Sequence, residues 1–514
     1  MSIMRRLVSV IAKRKAQEVE HLLNNQLELM DDKLMSILKR HRDTVYGRRF
    51  GFDAIDSPDQ YIENIPLMDS KTHGTWLKHV YENPKGAILT ADDVTWYLQT
   101  SGTSGKPKRL PVTKFGLKEV SKGSMMGWMG FLSLDPENTK LVEGKMITLG
   151  APAVMDHING VPVGYATGVY ASHMNPMFQR LIRPGMDTFN ITDMDTKMWE
   201  YAKIMTECNP TALQGISTLS LALLRRLQGA YAFRLREQYK GTKHEAKLLN
   251  SMNDDGTMDL SSFLPNLRLF VATGIDTDPY REWISKTLPE AIVWEMYGAS
   301  EGFYGAQLLP EPGLQLTTNL DYFEFIPEKE CEKLNPEAIP LSEVKKGNRY
   351  EMVMTNHQGY YRYRPGDMMT FSSTDPYTVR NIGRRGRIVN LSGEKISEAH
   401  VSNAITYACK ATGAEVIDYS VVGIVEDGLP HYVIAAMFRD YNIDPVEFVM
   451  AYEDNLRENN EEFRIVRDMN ALGPTVLLRM RTSFFENIAE TVHIQAKPIP
   501  LTTDEKVLAL CEPY

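Results

Sequence analysis

The segment Thr100-Ser101-Gly102-Thr103-Ser104-Gly105-Lys106-Pro107-Lys108 is the most informative stretch in this chain of 514 residues. It follows the apolar and aromatic run Trp96–Leu98, which predicts a loop that leaves the end of a strand. The two glycines let the backbone turn its N–H groups into one concave surface, and the hydroxyl and lysine side chains add donors that a polyphosphate requires. The loop is not a Walker A motif, because two residues rather than four separate Gly102 from Gly105. The alternative interpretation is a surface turn of small polar residues.

A second candidate segment, Met296-Tyr297-Gly298-Ala299-Ser300-Glu301-Gly302, directly follows the predicted strand Ile292–Met296. An aromatic side chain beside a glycine can lie flat against a purine, and Tyr297 is placed for that role. At the carboxyl end of a strand, the carboxylate of Glu301 is placed to bind Mg²⁺ through oxygen. The alternative is a turn from a strand to a helix, in which Glu301 caps the helix.

The third candidate segment is Tyr361-Arg362-Tyr363-Arg364-Pro365-Gly366-Asp367. Its Pro-Gly pair predicts a rigid turn that presents Asp367. The two oxygens of this carboxylate can accept hydrogen bonds from both hydroxyls of a ribose. Taken alone, an aspartate after Pro-Gly is also typical of an ordinary turn.

Strands and helices alternate through the first part of the chain, which predicts a mainly parallel sheet covered by helices on both faces. Residues 1 to about 48 have apolar positions at helical spacing, and further helices are predicted at 195–206 and 217–238. The strands predicted here are Met146–Leu149, Leu267–Val271 and Ile292–Met296.

From about residue 313 the pattern changes to short β-type runs between turns. These runs are Leu314–Leu316, Tyr322–Ile326, Tyr350–Thr355 and Met368–Phe371. The basic stretch Gly383-Arg384-Arg385-Gly386-Arg387 follows, and beyond it Val416–Val422 and His431–Phe438 are strand candidates among helices. This is enough for a small α+β domain, so the domain boundary is predicted at the basic stretch.

The composition is that of a globular protein, with 43% hydrophobic and 24% charged residues. The net charge of −9 offers no overall basic field for nucleic acid. Four cysteines lie far apart in the sequence, which favours reduced thiols in a cytoplasmic protein over a disulfide framework or a zinc site. The apolar run Leu7–Ala12 is too short for a signal peptide, and no stretch approaches a membrane span, so no membrane association is expected.

In this order, the three segments resemble the phosphate loop, the aromatic-Gly-x-Ser/Thr-Glu segment and the ribose-binding aspartate of the acyl-adenylate-forming superfamily. The superfamily includes acyl-CoA synthetases, peptide-synthetase adenylation domains and luciferases. The chain is more closely similar to the Gretchen Hagen 3 family of acyl-acid amido synthetases. Four stretches carry that closer likeness: Ile65-Pro66-Leu67, Tyr322-Phe323-Glu324-Phe325-Ile326-Pro327, Leu341-Ser342-Glu343-Val344-Lys345-Lys346-Gly347 and Gly359-Tyr360-Tyr361-Arg362-Tyr363-Arg364-Pro365-Gly366-Asp367.

The resemblance implies an α/β fold with a large N-terminal domain, residues 1–383, built from mainly parallel sheets and a β-rich subdomain. A hinge at 384–388 and a small mobile α+β domain at 389–514 are expected to follow. It implies a ligase that uses ATP and Mg²⁺ to adenylate a small-molecule carboxylic acid and passes the acyl group to an amine, which in this family is an amino acid. Two alternatives stay open: an acyl-CoA ligase that forms a thioester, and a catalytically inactive regulatory protein that binds nucleotide.

Residue by residue, Ser101, Gly102, Thr103 and Ser104 are similar to the cradle of the β- and γ-phosphates, and Gly274 is similar to the glycine that lies against adenine. Tyr297 through Glu301 resemble the purine and Mg²⁺ contacts, and Asp367 resembles the ribose clamp. Arg384 and Lys395 match a basic pair that flanks the family hinge, although a solvated linker would also explain this basic stretch. The nucleotide-binding set implied in full is Thr100, Ser101, Gly102, Thr103, Ser104, Gly105, Lys108, Gly274, Tyr297, Gly298, Ala299, Ser300, Glu301, Asp367, Arg384, Lys395 and Lys497.

The catalytic residues that the resemblance implies are Lys497, Glu301 and Lys395. Gln495-Ala496-Lys497 is similar to the family's Gln-x-Lys, whose lysine neutralises charge on the α-phosphate as it is attacked. The stretch Pro500–Lys506 has the spacing of the wider superfamily's lysine motif, with Glu505 where glycine is expected. Lys506 therefore remains the alternative to Lys497.

The acyl pocket is not defined by the sequence. A group of methionine and aromatic side chains could line it, although such residues also fill ordinary cores. The group consists of Met125, Met126, Trp128, Met129, Met174 and Met177. No histidine is predicted to be catalytic; His157, His173 and His400 are expected to be structural or incidental.

Overall fold

The computed structural model describes residues 3–100, 108–174, 176–215, 217–273, 278–386, 388–438, 443–480 and 501–509. The chain forms two compact units. The first comprises the described parts of Met1–Thr100, Lys108–Gly274 and Thr287–Gly383, and the second comprises residues 278–286 and the described residues from 384 onward. Across these described ranges, no helix is both long and apolar enough to cross a membrane.

The helices of the first unit begin mostly at polar residues that cap free backbone N–H groups. Asp69 accepts from the Thr72 amide ahead of α5, and Thr113 accepts from the Gly116 amide ahead of α6. In chain order the helices up to residue 287 are α1 Ile3–Asn24, α2 Gln26–His41, α3 Val45–Arg49, α4 Pro58–Asn64, α5 Ser70–Glu82, α6 Lys114–Leu134, α7 Ala166–Ser172, α8 Pro176–Gln179, α9 Met186–Phe189, α10 Met194–Glu207, α11 Ser217–Gln228, α12 Ala230–Gln238, α13 Glu245–Asn250, α14 Leu260–Phe263 and α15 Asp278–Thr287.

The strands of the first unit are short and rich in aromatic and β-branched residues, as half-buried and fully buried strands usually are. They are β1 Val94–Gln99, β2 Arg109–Thr113, β3 Lys145–Leu149, β4 Asp156–Ile158, β5 Val161–Gly164, β6 Ile182–Arg183, β7 Pro210–Gly215, β8 Leu269–Ala272, β9 Ile292–Ala299, β10 Gly302–Ala306, β11 Leu314–Leu316, β12 Tyr322–Pro327, β13 Ile339–Pro340, β14 Arg349–Asn356, β15 Tyr360–Tyr363, β16 Asp367–Thr374 and β17 Tyr377–Arg384.

One large sheet dominates the first unit. Within the described residues it contains 13 strands in the order β13-β12-β14-β16-β17-β11-β10-β9-β8-β7-β3-β6, with β15 paired to β14. Strands β9, β8, β7, β3 and β6 are parallel neighbours, whereas the strands on the other side of β9 pair antiparallel. Strand β9 serves both halves, because Ile292–Glu295 pair in parallel with β8 and Met296–Ala299 pair antiparallel with β10. A second sheet has the order β2-β1-β5-β4.

Two large apolar clusters and two smaller ones fill the described part of the first unit. One large cluster packs against the antiparallel half and includes Tyr97, Tyr297, Tyr304 and Tyr361. The other large cluster joins α1 and α6 to the parallel half, with Trp294 buried at its centre and its indole N–H donating to the Gly127 carbonyl over 3.0 Å. The second segment predicted from the sequence therefore lies where strands of both halves and both large clusters meet.

The second unit is a small α+β body. Its elements after residue 387 are β18 Ile388–Val389, β19 Ile396–Ser397, α16 Glu398–Thr412, β20 Val416–Glu426, β21 Leu429–Phe438, α17 Pro445–Asn459, α18 Glu461–Asp468, β22 Val476–Arg479, β23 Leu501–Thr502 and α19 Lys506–Ala509. The described strands form a sheet in the order β22-β21-β20-β23 and a separate pair β18-β19, and α16 packs along α17. His400 takes part in a capping box with Ser397 at the start of α16, which is a structural role.

Each strand predicted from the sequence overlaps a strand of the structure. The predicted helix at 217–238 is divided at Gly229 into α11 and α12. The sequence predicted the mainly parallel part and the β-rich subdomain within one domain, residues 1–383, but did not predict how the two parts are joined. The structure joins them through β9, because one strand can pair in parallel along its first half and antiparallel along its second.

Candidate active site

Two hydrogen bonds between Thr100 and Lys108 close the base of the predicted phosphate loop. The Thr100 amide donates to the Lys108 carbonyl over 2.8 Å, and the Lys108 amide donates to the Thr100 hydroxyl over 3.1 Å. This pairing continues the antiparallel ladder of β1 and β2. The loop residues Ser101, Gly102, Thr103, Ser104 and Gly105 lie outside the described residues.

Lys108 is anchored at the start of a helix. Its ammonium group donates to the hydroxyl of Ser70, the first residue of α5. His73, one turn further along α5, is buried, and burial together with the nearby Lys108 charge lowers its pKa to about 3. His73 is therefore neutral at physiological pH, so Lys108 remains the cation at the base of the loop.

The second predicted segment forms the tip of a tight hairpin. Ala299 of β9 pairs with Gly302 of β10, so only Ser300 and Glu301 make the turn. The alternative in which Glu301 caps a helix is wrong, because the segment joins two antiparallel strands. The hairpin thus presents Tyr297 through Glu301 at one end of the large sheet.

Tyr297 and Asp367 are brought together although 70 positions separate them in the sequence. The phenol of Tyr297 donates to Oδ2 of Asp367 over 2.5 Å, and both side chains are largely buried. Asp367 is the first residue of β16, and the Pro365-Gly366 turn precedes it as predicted, with a positive φ of 87° at Gly366 that favours glycine. The residues predicted to contact the purine and the ribose are therefore in direct contact.

Three buried phenol hydroxyls lie within range of the Glu301 charge. The hydroxyls of Tyr170, Tyr304 and Tyr360 are buried without a hydrogen-bond partner among the described residues. Burial raises the pKa of all three phenols, and the negative charge of Glu301 raises each of them further. Tyr170 lies on α7 and also packs with Leu98 of β1, the strand that leads into the phosphate loop.

The underside of the hairpin tip is held by two amide side chains. The main-chain carbonyl of Glu301 accepts hydrogen bonds from Asn356 over 3.0 Å and from Gln358 over 3.1 Å. Sequence reasoning did not identify these two residues or the three phenols. Tyr360 falls inside a quoted family stretch, and Tyr170 falls inside Thr167–Ser172, which resembles a substrate-side segment of the family only weakly, whereas Tyr304, Asn356 and Gln358 gave no signal in the sequence.

Gly274, which the family resemblance places against adenine, lies outside the described residues. Its neighbour Thr273 forms hydrogen bonds with residues at the carboxyl end of β7. The Thr273 amide donates to the Ser217 hydroxyl over 2.6 Å, and the Thr273 hydroxyl donates to the Gly215 carbonyl. Gly215 has a φ of 116° and lies so close to Leu149 that a Cβ atom would overlap its carbonyl. These contacts fix the carboxyl ends of β3, β7 and β8, where parallel sheets bind ligands.

The protein alone provides few ligands for a metal. Among the described residues, no group of three or more histidine, cysteine, aspartate or glutamate side chains could hold a metal ion. Mg²⁺ is commonly held by one or two carboxylates together with substrate phosphates rather than by a complete protein cage. Glu301 with its surrounding hydroxyl oxygens fits that chemistry.

In the second unit, Lys395 follows a tightly bonded turn. The buried carboxylate of Glu394 accepts from the amides of Leu391 over 2.8 Å and Ser392 over 2.6 Å, and from the phenol of Tyr432. Lys395 itself has a φ of 46° and its ammonium lies 3.8 Å from Glu462. The backbone of Arg384 ends β17, but its side chain and all of Lys497 lie outside what the structure describes, as does the side chain of Lys506.

The residues considered for an acyl pocket lie on or near α6. Met126 and Met129 are buried in the apolar cluster that joins α1 and α6 to the sheet, and Met125, Trp128 and Met174 pack at its edge. The side chain of Met177 is not described. This placement agrees with the interpretation as core residues and does not separate it from a pocket lining.

Comparison with known proteins identifies the family over most of the chain. Three family models match in order: the GH3 family N-terminal domain at residues 15–212, the GH3 family central domain at 314–383 and the GH3 family C-terminal domain at 399–499. GH3 is the Gretchen Hagen 3 family to which the motifs were similar. Together the three models match more than two thirds of the chain.

Relatives with assigned functions agree with the family models. An indole-3-acetic acid-amido synthetase, GH3.4 of Arabidopsis thaliana, is 22% identical, and the match covers 92% of this chain and 87% of that protein. The solved GH3.15 acyl acid amido synthetase in complex with 2,4-DB has a TM-score of 0.64 at 19% identity and covers 97% of this chain and 95% of its own. A 2-hydroxyisobutyryl-CoA ligase in complex with its acyl-AMP and CoA shares the fold, with a TM-score of 0.52 at 14% identity and coverage of 96% and 92%.

The fold class and the enzyme class predicted from the sequence are therefore confirmed: an α/β fold of the acyl-adenylate-forming kind, and a ligase of the amido synthetase type. The roles of individual residues, the hinge and the role of Mg²⁺ remain predictions. By the family models that match its N-terminal, central and C-terminal parts, this chain belongs to the GH3 family.

Proposed function

We propose that this chain binds Mg·ATP at the tip of the β9–β10 hairpin, adenylates a small carboxylic acid and transfers the acyl group to the amine of an amino acid. The observation that carries the proposal is the 2.5 Å hydrogen bond from Tyr297 to Asp367. It joins the residue suited to a purine with the residue suited to a ribose. Glu301 lies at the tip of the same hairpin, four residues after Tyr297.

Asp367 orients the nucleoside in this proposal. One of its oxygens accepts from Tyr297, and a carboxylate can accept several hydrogen bonds at once, as a bond to Tyr297 together with bonds to both ribose hydroxyls would require. Tyr297 fixes the direction of the carboxylate before the nucleotide binds. Such preorganisation lowers the entropy cost of placing the α-phosphate for attack.

Glu301 is the proposed protein ligand for Mg²⁺. When bound, Mg²⁺ neutralises charge on the phosphate oxygens and on the departing pyrophosphate. The hairpin tip supplies one carboxylate, and the buried hydroxyls of Tyr170, Tyr304 and Tyr360 supply polar oxygen around it. The phosphate loop from Thr100 to Lys108 would hold the β- and γ-phosphates through its amides, hydroxyls and lysines.

The reaction proceeds in two displacements. An oxygen of the acid forms a bond to the α-phosphorus while the bond from that phosphorus to the bridging oxygen of pyrophosphate breaks. The acceptor nitrogen then attacks the acyl carbon, the carbon–oxygen bond to AMP breaks, and the nitrogen loses a proton. Both steps depend on positioning and charge neutralisation more than on a general base, which agrees with a site built from hydroxyls, amides, lysines and one carboxylate.

The second unit is proposed to serve the two displacements in turn. Residues 384–388 act as the hinge, 389–514 form the mobile domain, and Arg384 and Lys395 flank the hinge as the basic pair of the family does. Lys497 is the proposed cation at the α-phosphate during adenylation, with Lys506 as the rival candidate. The buried, fully bonded Glu394 supports a role for its neighbour, because it fixes the backbone from which Lys395 projects.

Pyrophosphate exchange tests the adenylation step. With the right acid and no acceptor, the protein should exchange labelled pyrophosphate into ATP; indolyl, aryl and medium-chain acids form the first panel. Asp367→Ala should weaken ATP binding, since two hydrogen bonds to a charged group are lost, each worth about 1.5–3 kcal/mol before water competes. Binding of ATP without exchange across the panel would instead favour the inactive regulatory protein.

The second displacement, studied by itself, tests which acceptor is used and whether Lys497 or Lys506 serves only the adenylation step. A chemically synthesised acyl-adenylate is supplied with amino acids or with CoA, and the amide or thioester is identified. Lys497→Ala should slow adenylation by about 10²–10³ and leave this second step nearly unchanged. Loss of adenylation in Lys506→Ala alone would transfer the role to Lys506, and discharge by CoA but by no amine would replace the amide proposal with the thioester alternative.

A further inference from the structure

The hairpin tip that carries Glu301 is held through its main chain by two side chains from a later part of the sheet. The turn contains only Ser300 and Glu301, and the Glu301 carbonyl accepts two hydrogen bonds, from Asn356 over 3.0 Å and from Gln358 over 3.1 Å. Both amide side chains are buried. A carbonyl with both acceptor positions filled by fixed donors cannot rotate away without the loss of both bonds.

The orientation of the two amides is set by further contacts. Asn356 ends β14, and its Oδ1 accepts from the Gln358 main-chain amide over 2.9 Å. Its Nδ2 must therefore face the Glu301 carbonyl, since oxygen and nitrogen of one amide group point in opposite directions. A Cβ atom on Gly302 would approach Nδ2 of Asn356 to 3.0 Å, so glycine at this position allows the close approach.

The buried carboxyl of Asp321 lies near the same group. Its Oδ1 is 3.7 Å from where a Cβ atom on Gly302 would be, and Nδ2 of Asn356 is 3.0 Å from that point. A small cavity of about 10 Å³, the size of one water molecule, adjoins this group and is lined by Asp321, Asn356 and Gln358. The polar support thus extends behind the hairpin and is not part of its solvent-facing side.

We propose that Asn356 and Gln358 are positioning residues that hold Glu301 in place for the metal of Mg·ATP. Their hydrogen bonds go to the main-chain carbonyl of Glu301, so they fix the position from which its side chain extends. This inference rests on the proposed function, because it takes Glu301 as the metal ligand. A residue that acts through another should change metal affinity more than the rate at saturating metal.

The test compares Gln358→Met with Gln315→Met. Methionine keeps the length of the side chain and removes the amide. Gln315 is a buried amide of the same sheet that bonds the Leu308 amide and the Thr378 hydroxyl and has no hydrogen bond to Glu301, so it controls for the loss of a buried amide in general. Asn356→Asp is the second variant, since it keeps the acceptor for Gln358 and replaces the donor that faces the carbonyl.

The measurement is the affinity for Mn²⁺ in the presence of ATP, by electron paramagnetic resonance, with metal-free AMP binding as the readout of the purine and ribose contacts. Gln358→Met and Asn356→Asp should weaken Mn²⁺ binding about fivefold to tenfold, as expected for one lost hydrogen bond. AMP affinity should stay within about twofold, and Gln315→Met should match the unaltered protein on both measurements. The KM for Mg²⁺ in the exchange reaction should rise by a similar factor while kcat at saturating Mg²⁺ holds.

Unchanged Mn²⁺ affinity in both variants would overturn the positioning role, and so would an equal loss of AMP affinity, which would indicate general distortion of the site. The proposed function fails in a different way. If the unaltered protein exchanges no pyrophosphate with any acid while Gln358→Met still weakens Mn²⁺ binding selectively, adenylation is rejected and the positioning role stands. If Glu301→Gln leaves Mn²⁺ affinity intact, Glu301 is not the ligand and the positioning role is rejected, while the exchange assay still decides adenylation.

Discussion

Two regions of the first unit bury polar side chains, and they differ in whether those side chains have hydrogen-bond partners among the described residues. Strand β15 contributes residues to both regions. The ion-pair region consists of Arg362 with Glu324 and Arg364 with Glu351. The hairpin region consists of Glu301 at its tip with the hydroxyls of Tyr170, Tyr304 and Tyr360, and it includes Asp321 behind the tip. In the first region the arginine donors meet acceptors, and in the second region several polar atoms meet none among the described residues.

The ion-pair region is bonded nearly to capacity. Arg362 donates to both oxygens of Glu324 over 2.7–3.2 Å and to the carbonyls of Ile62 and Ile65, each over 2.7 Å. Arg364 donates to both oxygens of Glu351 and to the Cys331 carbonyl. Satisfied buried charges of this kind fix one arrangement of strands and loops, which is a structural task.

In the part of the chain that the structure describes, the hairpin region keeps unpaired hydroxyls where a folded core would normally exclude or pair them. Natural proteins leave few buried polar atoms without partners, and such atoms are expected where a ligand supplies the missing contact. The comparison therefore separates residues whose polar atoms are paired within the fold from residues whose hydroxyls lack a partner among the described residues, although Tyr360 and Arg362 are only two positions apart on β15.

The largest effect should come from breaking the ion-pair region. Arg362→Met leaves the Glu324 carboxylate buried and uncompensated, so the free energy of unfolding should fall by about 3–5 kcal/mol. Urea denaturation followed by circular dichroism measures it. Arg349→Met is the matched control on β14, because its ion pair with Glu328 is partly exposed and should contribute less than about 1 kcal/mol. A loss in Arg362→Met no larger than in the control would contradict the structural role of the pair.

A smaller, pH-dependent effect should come from Asp321 in the hairpin region. Burial raises the pKa of this carboxyl to about 8, with hydrogen bonding from Asn356 opposing the shift. The folded protein thus keeps the proton that the unfolded chain releases above pH 4, and the stability from this group falls as pH rises from about 4 to 8. Asp321→Asn cannot ionise, so its stability relative to the unaltered protein should increase by at least about 1 kcal/mol between pH 5 and pH 8.

Thermal unfolding at the two pH values measures this difference. Asp254→Asn removes an exposed carboxyl and should show a nearly constant difference from the unaltered protein over the same range. If the stability difference between Asp321→Asn and the unaltered protein were the same at both pH values, the Asp321 carboxyl would be ionised in the folded protein. The hairpin region would then resemble the ion-pair region in holding a buried charge.

The sequence predicted the parts of the molecule whose signal is local. The Pro-Gly turn before Asp367 and the strand before Tyr297 follow from neighbouring residues, and the family resemblance supplied their roles. Asn356 and Gln358 could not be found in this way. They lie 55 and 57 positions after Glu301, and only the pairing of β14 with β15 and the fold of the sheet bring them beneath the hairpin.

The same limit applies to the join between the two halves of the large sheet. The apolar run Ile292–Met296 predicts a buried strand, but nothing in it states that its second half turns to an antiparallel partner. That choice depends on the tight turn at Ser300 and Glu301 and on the strands beyond it. The residues of the site that gave no sequence signal are therefore those whose positions depend on strand pairing across long separations.

The smallest predicted effect comes from removing one tyrosine hydroxyl in each region and comparing the change in stability. The phenol of Tyr61 bonds the Thr355 hydroxyl over 2.8 Å beside the ion-pair region, whereas the phenol of Tyr360 has no partner among the described residues, and both side chains are fully buried. Tyr61→Phe should cost about 1 kcal/mol of unfolding free energy, because a buried hydrogen bond is lost. Tyr360→Phe should leave stability unchanged or raise it slightly, because an unpaired polar atom leaves the core. Urea denaturation of the two variants side by side measures the difference, and equal losses would show that the Tyr360 hydroxyl is paired in the folded protein and that the contrast between the regions does not hold there.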